Sequence, residues 1–412
     1  MAKGMLFLKN KKFNTGVLTG VVGTLLIMGL VFGITFYKNK DIMNILTGNT
    51  HTARSVEKSG DTIISKVKFL MGIIDEQSIY EPNDEDVIEG IYKGIFESLD
   101  DDYATYYTKD EYEKFLETAT GEYVGIGAYV AMNENGYTYI VSPMKGSPAE
   151  KVGLKTGDIF YKIDGKDVTD KGSDEIAAML KGKEDTKVKV KVARDGEDDY
   201  LSFTIVRKKI ESITVAHKVL EDNIGYIQVA SFDDITVKQF QEALKELQKE
   251  KVEGLVIDLR DNPGGNLDVV VEMLDMFLPK DSMIVYTKNK AGQVTSEYKA
   301  QSNDFTSIPM CVLINGNSAS ASEIFAANVK DHKLGKLIGT TTFGKGIVQT
   351  VTRLTDGSAI KFTTAKYFTP EGLDIHKKGV EPDIEIELNL DDYRDKKIDS
   401  QLNVAVQQLK KD

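Results

Sequence analysis

Three short stretches of this chain carry residue types whose spacing suits acyl transfer. Asn317-Ser318-Ala319-Ser320-Ala321-Ser322-Glu323-Ile324 presents serine hydroxyls among small residues. Phe343-Gly344-Lys345-Gly346-Ile347-Val348-Gln349 places a lysine between two glycines, 25 residues after Ser320. A serine hydroxyl is a weak nucleophile at its own pKa and needs a base. A lysine amine serves as that base when a dry pocket lowers its pKa toward neutrality. Small neighbours let a substrate backbone approach both groups. Acyl transfer also needs donors for the developing oxyanion. Pro263-Gly264-Gly265 follows a buried strand, and Gly265 or Gly264, with the N–H of Ala321, would supply them.

Residue chemistry alone leaves Ser318, Ser320 and Ser322 equal as nucleophiles. The base has few rivals, because the chain has four histidines, His51, His217, His332 and His376. His332 directly follows Asp331, but adjacent side chains do not normally point at each other, which disfavours a Ser-His-Asp triad. No H-E-x-x-H pattern or cysteine-histidine cluster suggests a metal, and no Walker-type loop suggests a nucleotide, so neither metal nor cofactor is expected. A net charge of -12 argues against nucleic acid as a partner. The lone Cys311 lies in the apolar run Met310-Cys311-Val312-Leu313-Ile314 and reads as a buried strand residue.

These groups need elements to hold them. Residues 13–37 are uncharged and rich in Val, Leu, Ile and Gly. As a helix they would span about 38 Å at about 1.5 Å per residue, enough for a hydrocarbon core of about 30 Å. Lys3, Lys9, Lys11 and Lys12 precede this run, and the heavier basic side stays cytoplasmic. The expectation is a cytoplasmic tail (1–12), a transmembrane anchor (13–37), a polar stalk (38–60) and an extracytoplasmic remainder at the cell membrane. The exit Thr35-Phe36-Tyr37-Lys38 has no small-x-small site, which favours an uncleaved anchor over a signal peptide.

Residues 61–117 show helical periodicity, broken at Ser98-Leu99-Asp100-Asp101-Asp102-Tyr103. The three carboxylates lack the spacing of a calcium loop and read as a solvated turn. From 118 to 208 the character is that of short strands. Asn135-Gly136 and Asp164-Gly165 are hairpin signals, Ser147-Pro148 opens a short helix, and Ser173 is placed to cap a helix through Ile176 and Leu180. From 209 to 412 strands and helices alternate, which implies an α/β core. The Thr236–Lys249 stretch reads as an amphipathic helix. A helix starting within the serine cluster puts the nucleophile at a strand-to-helix corner, where backbone N–H groups point outward.

Residues 118–208 resemble a PDZ domain through Gly146-Ser147-Pro148-Ala149, Gly153-Leu154, Gly157-Asp158 and Ile163-Asp164-Gly165. The resemblance implies that Val124-Gly125-Ile126-Gly127 is the loop presenting N–H groups to a peptide carboxylate, with the peptide adding as a strand. Roughly residues 75 to 390 resemble the carboxyl-terminal processing (tail-specific) proteases of the Ser-Lys class. The carrying motifs are Asp258-Leu-Arg-Asp-Asn-Pro-Gly-Gly265, Ser318-Ala-Ser-Ala-Ser-Glu323, Thr342-Phe-Gly-Lys-Gly346 with Gln349, and Gly379-Val-Glu-Pro-Asp383. That resemblance implies Ser320 as nucleophile, Lys345 as general base, Gln349 orienting the amine from four residues on, and a supporting role for Asp331.

It further implies a crotonase/ClpP-like α/β core with an inserted PDZ domain, protein substrates with apolar C-termini, and a homodimer through the N-terminal helices. The end of the PDZ helix, Leu180-Lys181-Gly182-Lys183, departs from relatives that carry Arg-Gly-Lys there. A non-catalytic PDZ scaffold binding C-terminal tails at the envelope is the alternative reading, and the intact Ser-Lys-Gln set argues against it. A crotonase-like acyl-CoA enzyme lacks a cofactor signature.

Overall fold

The computed structural model describes residues 51–81, 83–302 and 306–410. The expected tail (1–12), anchor (13–37) and most of the stalk (38–60) lie outside the described residues. Among the described residues no helix is long and apolar enough to cross a membrane. The chain divides into two units, residues 1–87 and 88–412. In the first, one helix runs His51–Gln77. It begins ten residues before the expected boundary at 61, so residues 51–60 extend the helix rather than forming stalk. Its apolar Ile63, Ile64, Phe69, Leu70 and Ile74 are exposed.

In the second unit, the protease-like core is a six-stranded sheet. Its order is Val215–Val219, Ile224–Val229, Gly254–Asp258, Met310–Ile314, Gly335–Gly339 and Ile384–Glu385. The first pair is antiparallel and the rest are parallel. Successive strand residues point to opposite faces, and the two central strands are buried throughout. On one face Leu255, Ile257, Val312 and Ile314 pack with Phe240, Met273 and Phe325. These come from helices Thr236–Lys249, Leu267–Asp275 and Ala321–Asp331. On the other, Val256, Cys311, Leu313 and Ile338 cluster with Ala405 of the Ser400–Leu409 helix. Cys311 is thus a buried strand residue, as expected.

That last helix is tied down by charge. Arg260 donates to Asp258 at 2.6 and 2.9 Å, to Asp399 at 2.7 Å and to Gln401 at 2.9 Å. Arg260 also opens the loop that leads to Gly264 and Gly265, so the clamp anchors one wall of the site described below. A second, antiparallel sheet joins Ala359–Phe368 to Ile347–Arg353, Met283–Asn289 and Thr105–Tyr107.

The PDZ-like sheet runs Ala128–Met132, Thr138–Pro143, Ile159–Ile163, Lys187–Ala193 and Leu201–Val206. Its core includes Ile140, Phe160, Ile163, Ile176, Val190 and Ile205. Both hairpin signals fall at turns, and Ser147 caps the Pro148–Lys151 helix. Ser173 differs from expectation. It is the first residue of the Ser173–Leu180 helix, and Gly172 takes the cap position. A two-stranded ribbon, Glu122–Gly125 with Lys208–Glu211, joins this domain to the core.

Candidate active site

The strand Met310–Ile314 leads into Ser320, which caps the Ala321–Asp331 helix with φ 55° and ψ -113°. A serine at positive φ is strained, and it stays there only because its surroundings hold it. The neighbouring serines are part of that restraint. Ser318 and Ser322 are fully buried. Ser318 Oγ donates to Leu259 O at 2.7 Å and Ser322 Oγ to Asn262 O at 2.9 Å. Of the three, only Ser320 lines the large cavity of about 610 Å³, so tertiary hydrogen bonds separate three hydroxyls that the sequence leaves equal.

Glu323 performs the remaining restraint. Its side chain is fully buried. One oxygen accepts the backbone N–H of Ser320 and of Lys345, each at 2.8 Å. The other accepts Thr342 Oγ1 at 2.6 Å and the Gly344 N–H at 2.7 Å. A buried carboxylate needs such donors, and here they come from both the serine loop and the lysine loop. Tyr367, whose hydroxyl donates to Lys345 O and lies 3.1 Å from Ser320 O, adds a second tie. Glu323 is a functional residue beyond those expected from the sequence. The available signal was the serine-x-x-glutamate spacing of a capping box.

Lys345 lines the same cavity. Its amine forms no ion pair among the described residues and sits 4.1 Å from the centroid of the Tyr103 ring. Burial pushes its pKa below the ordinary lysine value, and the charge of Lys361 pushes the same way, while Glu323 and Asp101 oppose the shift. Gln349 also lines the cavity, but on the strand Ile347–Arg353 rather than on a helix or tight turn. Extended backbone does not stack residues four apart. Gln349 Nε2 instead reaches Thr363 Oγ1 at 3.4 Å and makes no hydrogen bond to the lysine amine.

Among the expected oxyanion donors, Gly264 is corrected. Its N–H donates to Asn262 Oδ1 at 2.9 Å and is consumed. The N–H groups of Gly265 and Ala321 have no partner among the described residues, and both residues line the cavity. Gly264 is needed for another reason. It has φ 102°, and a Cβ there would lie 2.7 Å from Ala319 O and 2.8 Å from Ser320 Cβ. Asp331 is likewise corrected. It ends the helix that Ser320 begins, about 16 Å away at about 1.5 Å per residue, and accepts the Glu371 N–H at 3.0 Å. His332 turns its ring to Met283 O at 2.8 Å, so the Asp-His pair does not reach the cavity.

The solvated-turn reading of Asp100–Asp102 holds for the exposed Asp100 and Asp102. It fails for Asp101, which accepts Thr363 N at 2.8 Å and Thr363 Oγ1 at 3.0 Å. In the PDZ-like domain, Val124 and Gly125 lie on the ribbon strand. The N–H groups of Ile126 and Gly127, both buried, have no partner among the described residues. The following strand, Ala128–Met132, is a sheet edge beside the Ser173–Leu180 helix.

Residues 223–386 match peptidase family S41, and residues 139–194 match the PDZ domain. The chain is 37% identical over 344 residues to carboxy-terminal processing protease CtpA of Bacillus subtilis, covering 83% of this chain and 73% of that protein. It is 37% identical over 368 residues to a probable CtpA-like serine protease of Staphylococcus haemolyticus, covering 88% and 72%. Among solved structures it is similar to the photosystem II D1 C-terminal processing protease, with a TM-score of 0.45 at 29% identity over 77% of this chain and 86% of that one.

Proposed function

This chain belongs to peptidase family S41, among the carboxy-terminal processing serine proteases with a PDZ domain, and we propose that it cleaves peptide bonds through Ser320 and Lys345. The observation that carries the reading is the shared cavity. A strained, half-buried serine, an unpaired lysine amine with a lowered pKa, and two free backbone N–H groups all line it.

Neutral Lys345 takes the Ser320 hydroxyl proton as Oγ bonds to the substrate carbonyl carbon. The carbonyl electron pair moves to oxygen, where the Gly265 and Ala321 N–H groups are positioned to receive it. The ammonium returns its proton to the leaving amine as the C–N bond breaks, and water then releases the acyl group by the reverse sequence. Gln349 lines the cavity and holds its side-chain amide on Thr363, apart from the amine. Phe115, Phe232, Leu267 and Ile324 line the same cavity and favour apolar side chains next to the scissile bond.

The PDZ domain takes the substrate's C-terminal carboxylate on the Ile126 and Gly127 N–H groups, with the tail adding to the Ala128–Met132 edge. Residues 13–37 anchor the chain in the cell membrane with its catalytic part outside the cytoplasm. The N-terminal helices pair two copies through Phe69, Leu70 and their exposed apolar neighbours.

The test is incubation of the purified chain with an unstructured protein ending in apolar residues, beside Ser320→Ala and Lys345→Ala. Cleavage by the parent chain and by neither variant supports the Ser-Lys reading. Cleavage that survives in Lys345→Ala overturns the assignment of the base. Tail binding with no cleavage by any form favours the scaffold reading.

A further inference from the structure

The acidic turn at residues 100–103 reaches the base. The Lys345 amine lies over the face of Tyr103 at 4.1 Å from the ring centroid. The Tyr103 backbone N–H donates to Asp101 Oδ1 at 3.1 Å. The same carboxylate accepts the Thr363 N–H at 2.8 Å and the Thr363 hydroxyl at 3.0 Å. That hydroxyl, its proton given to Asp101, accepts Gln349 Nε2 at 3.4 Å. One chain of contacts therefore runs from Gln349 through Thr363, Asp101 and Tyr103 to Lys345. The two ends are the residues expected to touch directly.

Each part suits this role. Burial works against the Asp101 charge, but the N–H groups of Thr363 and Tyr103 outweigh it and hold the carboxyl below its ordinary range. Asp101 therefore remains an acceptor and fixes the turn. Burial, with Asp102, Glu323 and Asp101 nearby, raises the Tyr103 pKa, so the ring stays a neutral phenol. The electron-rich face of such a ring attracts an ammonium group more than a neutral amine. The charged groups that bear on the lysine are Lys361, Glu323 and Asp101. To these the Tyr103 ring adds an uncharged contribution that favours the protonated form.

We propose that Tyr103 is a positioning residue for Lys345: its ring face seats the amine and stabilises the ammonium that forms as Ser320 gives up its proton, while Asp101 holds the ring and links it through Thr363 to Gln349. The proposal rests on the Ser320–Lys345 reading. It assigns the Asp101–Tyr103 turn to the proton-transfer apparatus and leaves substrate recognition elsewhere.

The experiment follows the titration of Lys345 directly in the full chain, in detergent, labelled with ε-13C lysine. Lys345→Met identifies the signal by its absence. Tyr103→Phe retains the ring face and leaves the midpoint in place. Tyr103→Leu fills the space without that face and moves the midpoint down by about half a unit to one and a half units. The pH profile of kcat/KM moves with it, and the alkaline plateau falls because the base is weaker and less well seated. Tyr103→Met is the second variant if Tyr103→Leu does not fold.

A leucine or methionine variant that folds and titrates with the parent chain overturns the proposal. So does a Tyr103→Phe midpoint that moves as far as that of Tyr103→Leu, since the hydroxyl would then be responsible. Failure of the underlying reading is seen separately. It is turnover that survives in Lys345→Met, whatever the Tyr103 variants do.

Discussion

Glu323 stands three residues after Ser320, and its buried carboxylate accepts the Ser320 backbone N–H at 2.8 Å. The same oxygen takes the Lys345 N–H at an equal distance. The serine and lysine loops are thus spaced by one side chain. Glu323→Gln keeps the volume but turns one of the two acceptors into a donor, facing N–H groups that cannot reverse. Stability should fall by about 2–4 kcal/mol, the cost of buried donors left unpaired. Misplacement of the reacting groups should lower kcat at least about 100-fold. Denaturant melts and single-turnover acylation check the two effects. A variant that melts with the parent chain and acylates at its rate would refute this role.

The lysine sets the pH dependence. Only neutral Lys345 accepts a proton, and its folded pKa lies below the ordinary value of 10.5, first through burial and then through Lys361. kcat/KM should therefore rise with pH through that depressed pKa and level off above it. Lys361→Met removes a like charge, so the pKa rises, the midpoint moves to higher pH and activity at pH 7 falls. A profile that is flat from about pH 5 to 9 would exclude lysine as the base.

The same shift carries a cost in stability. The unfolded amine binds its proton more tightly than the folded one, so folding becomes more favourable as pH rises between the two pKa values. Lys345→Met should raise Tm most at low pH, and the gain should shrink as pH climbs through the folded pKa toward 10.5. Thermal melts across that range decide the matter. A gain that grows with pH would mean that the folded pKa is raised, not lowered.

Gly264 lies against the nucleophile although its N–H is consumed. A Cβ at this position would press on Ala319 O and Ser320 Cβ, and the residue has φ 102°. Gly264→Ala should push Ser320 off its axis and cost about 100-fold or more in acylation, with little change in binding of a C-terminal peptide. Loss of peptide binding with acylation intact would contradict this account.

Gly127 separates tail recognition from chemistry. It has φ 73°, and a Cβ there would meet Ser147 Cβ at 2.5 Å. Gly127→Ala should weaken binding of a C-terminal peptide at least about tenfold, a cost of about 1.4 kcal/mol, and leave acylation by a small activated ester unchanged. Titration with peptides bearing a free or an amidated C-terminus measures the loss. Equal binding of both peptides by the parent chain would remove the carboxylate from the recognition scheme.

Features set by local pattern were legible in the sequence. Helical periodicity placed Thr236–Lys249 at its observed bounds. A continuous apolar run marked Met310–Ile314 as a buried strand. Glycine pairs and turn dipeptides located the loops, because positive φ selects residues one position at a time. Serine and lysine among small residues marked the chemistry.

Folding settled what no local period carries. It consumed Ser318 and Ser322 in backbone hydrogen bonds and left Ser320 in the cavity. It consumed the Gly264 N–H and left that of Gly265 free. It put Gln349 on extended backbone, bonded to Thr363 rather than to the lysine amine. It also joined Asp101 to Thr363 across 262 residues, turning a stretch that reads as solvated into a wall beside the base. Hydrogen bonds between distant segments depend on how sheets and helices stack, and a carboxylate in a turn looks the same in sequence whether water or a distant threonine donates to it.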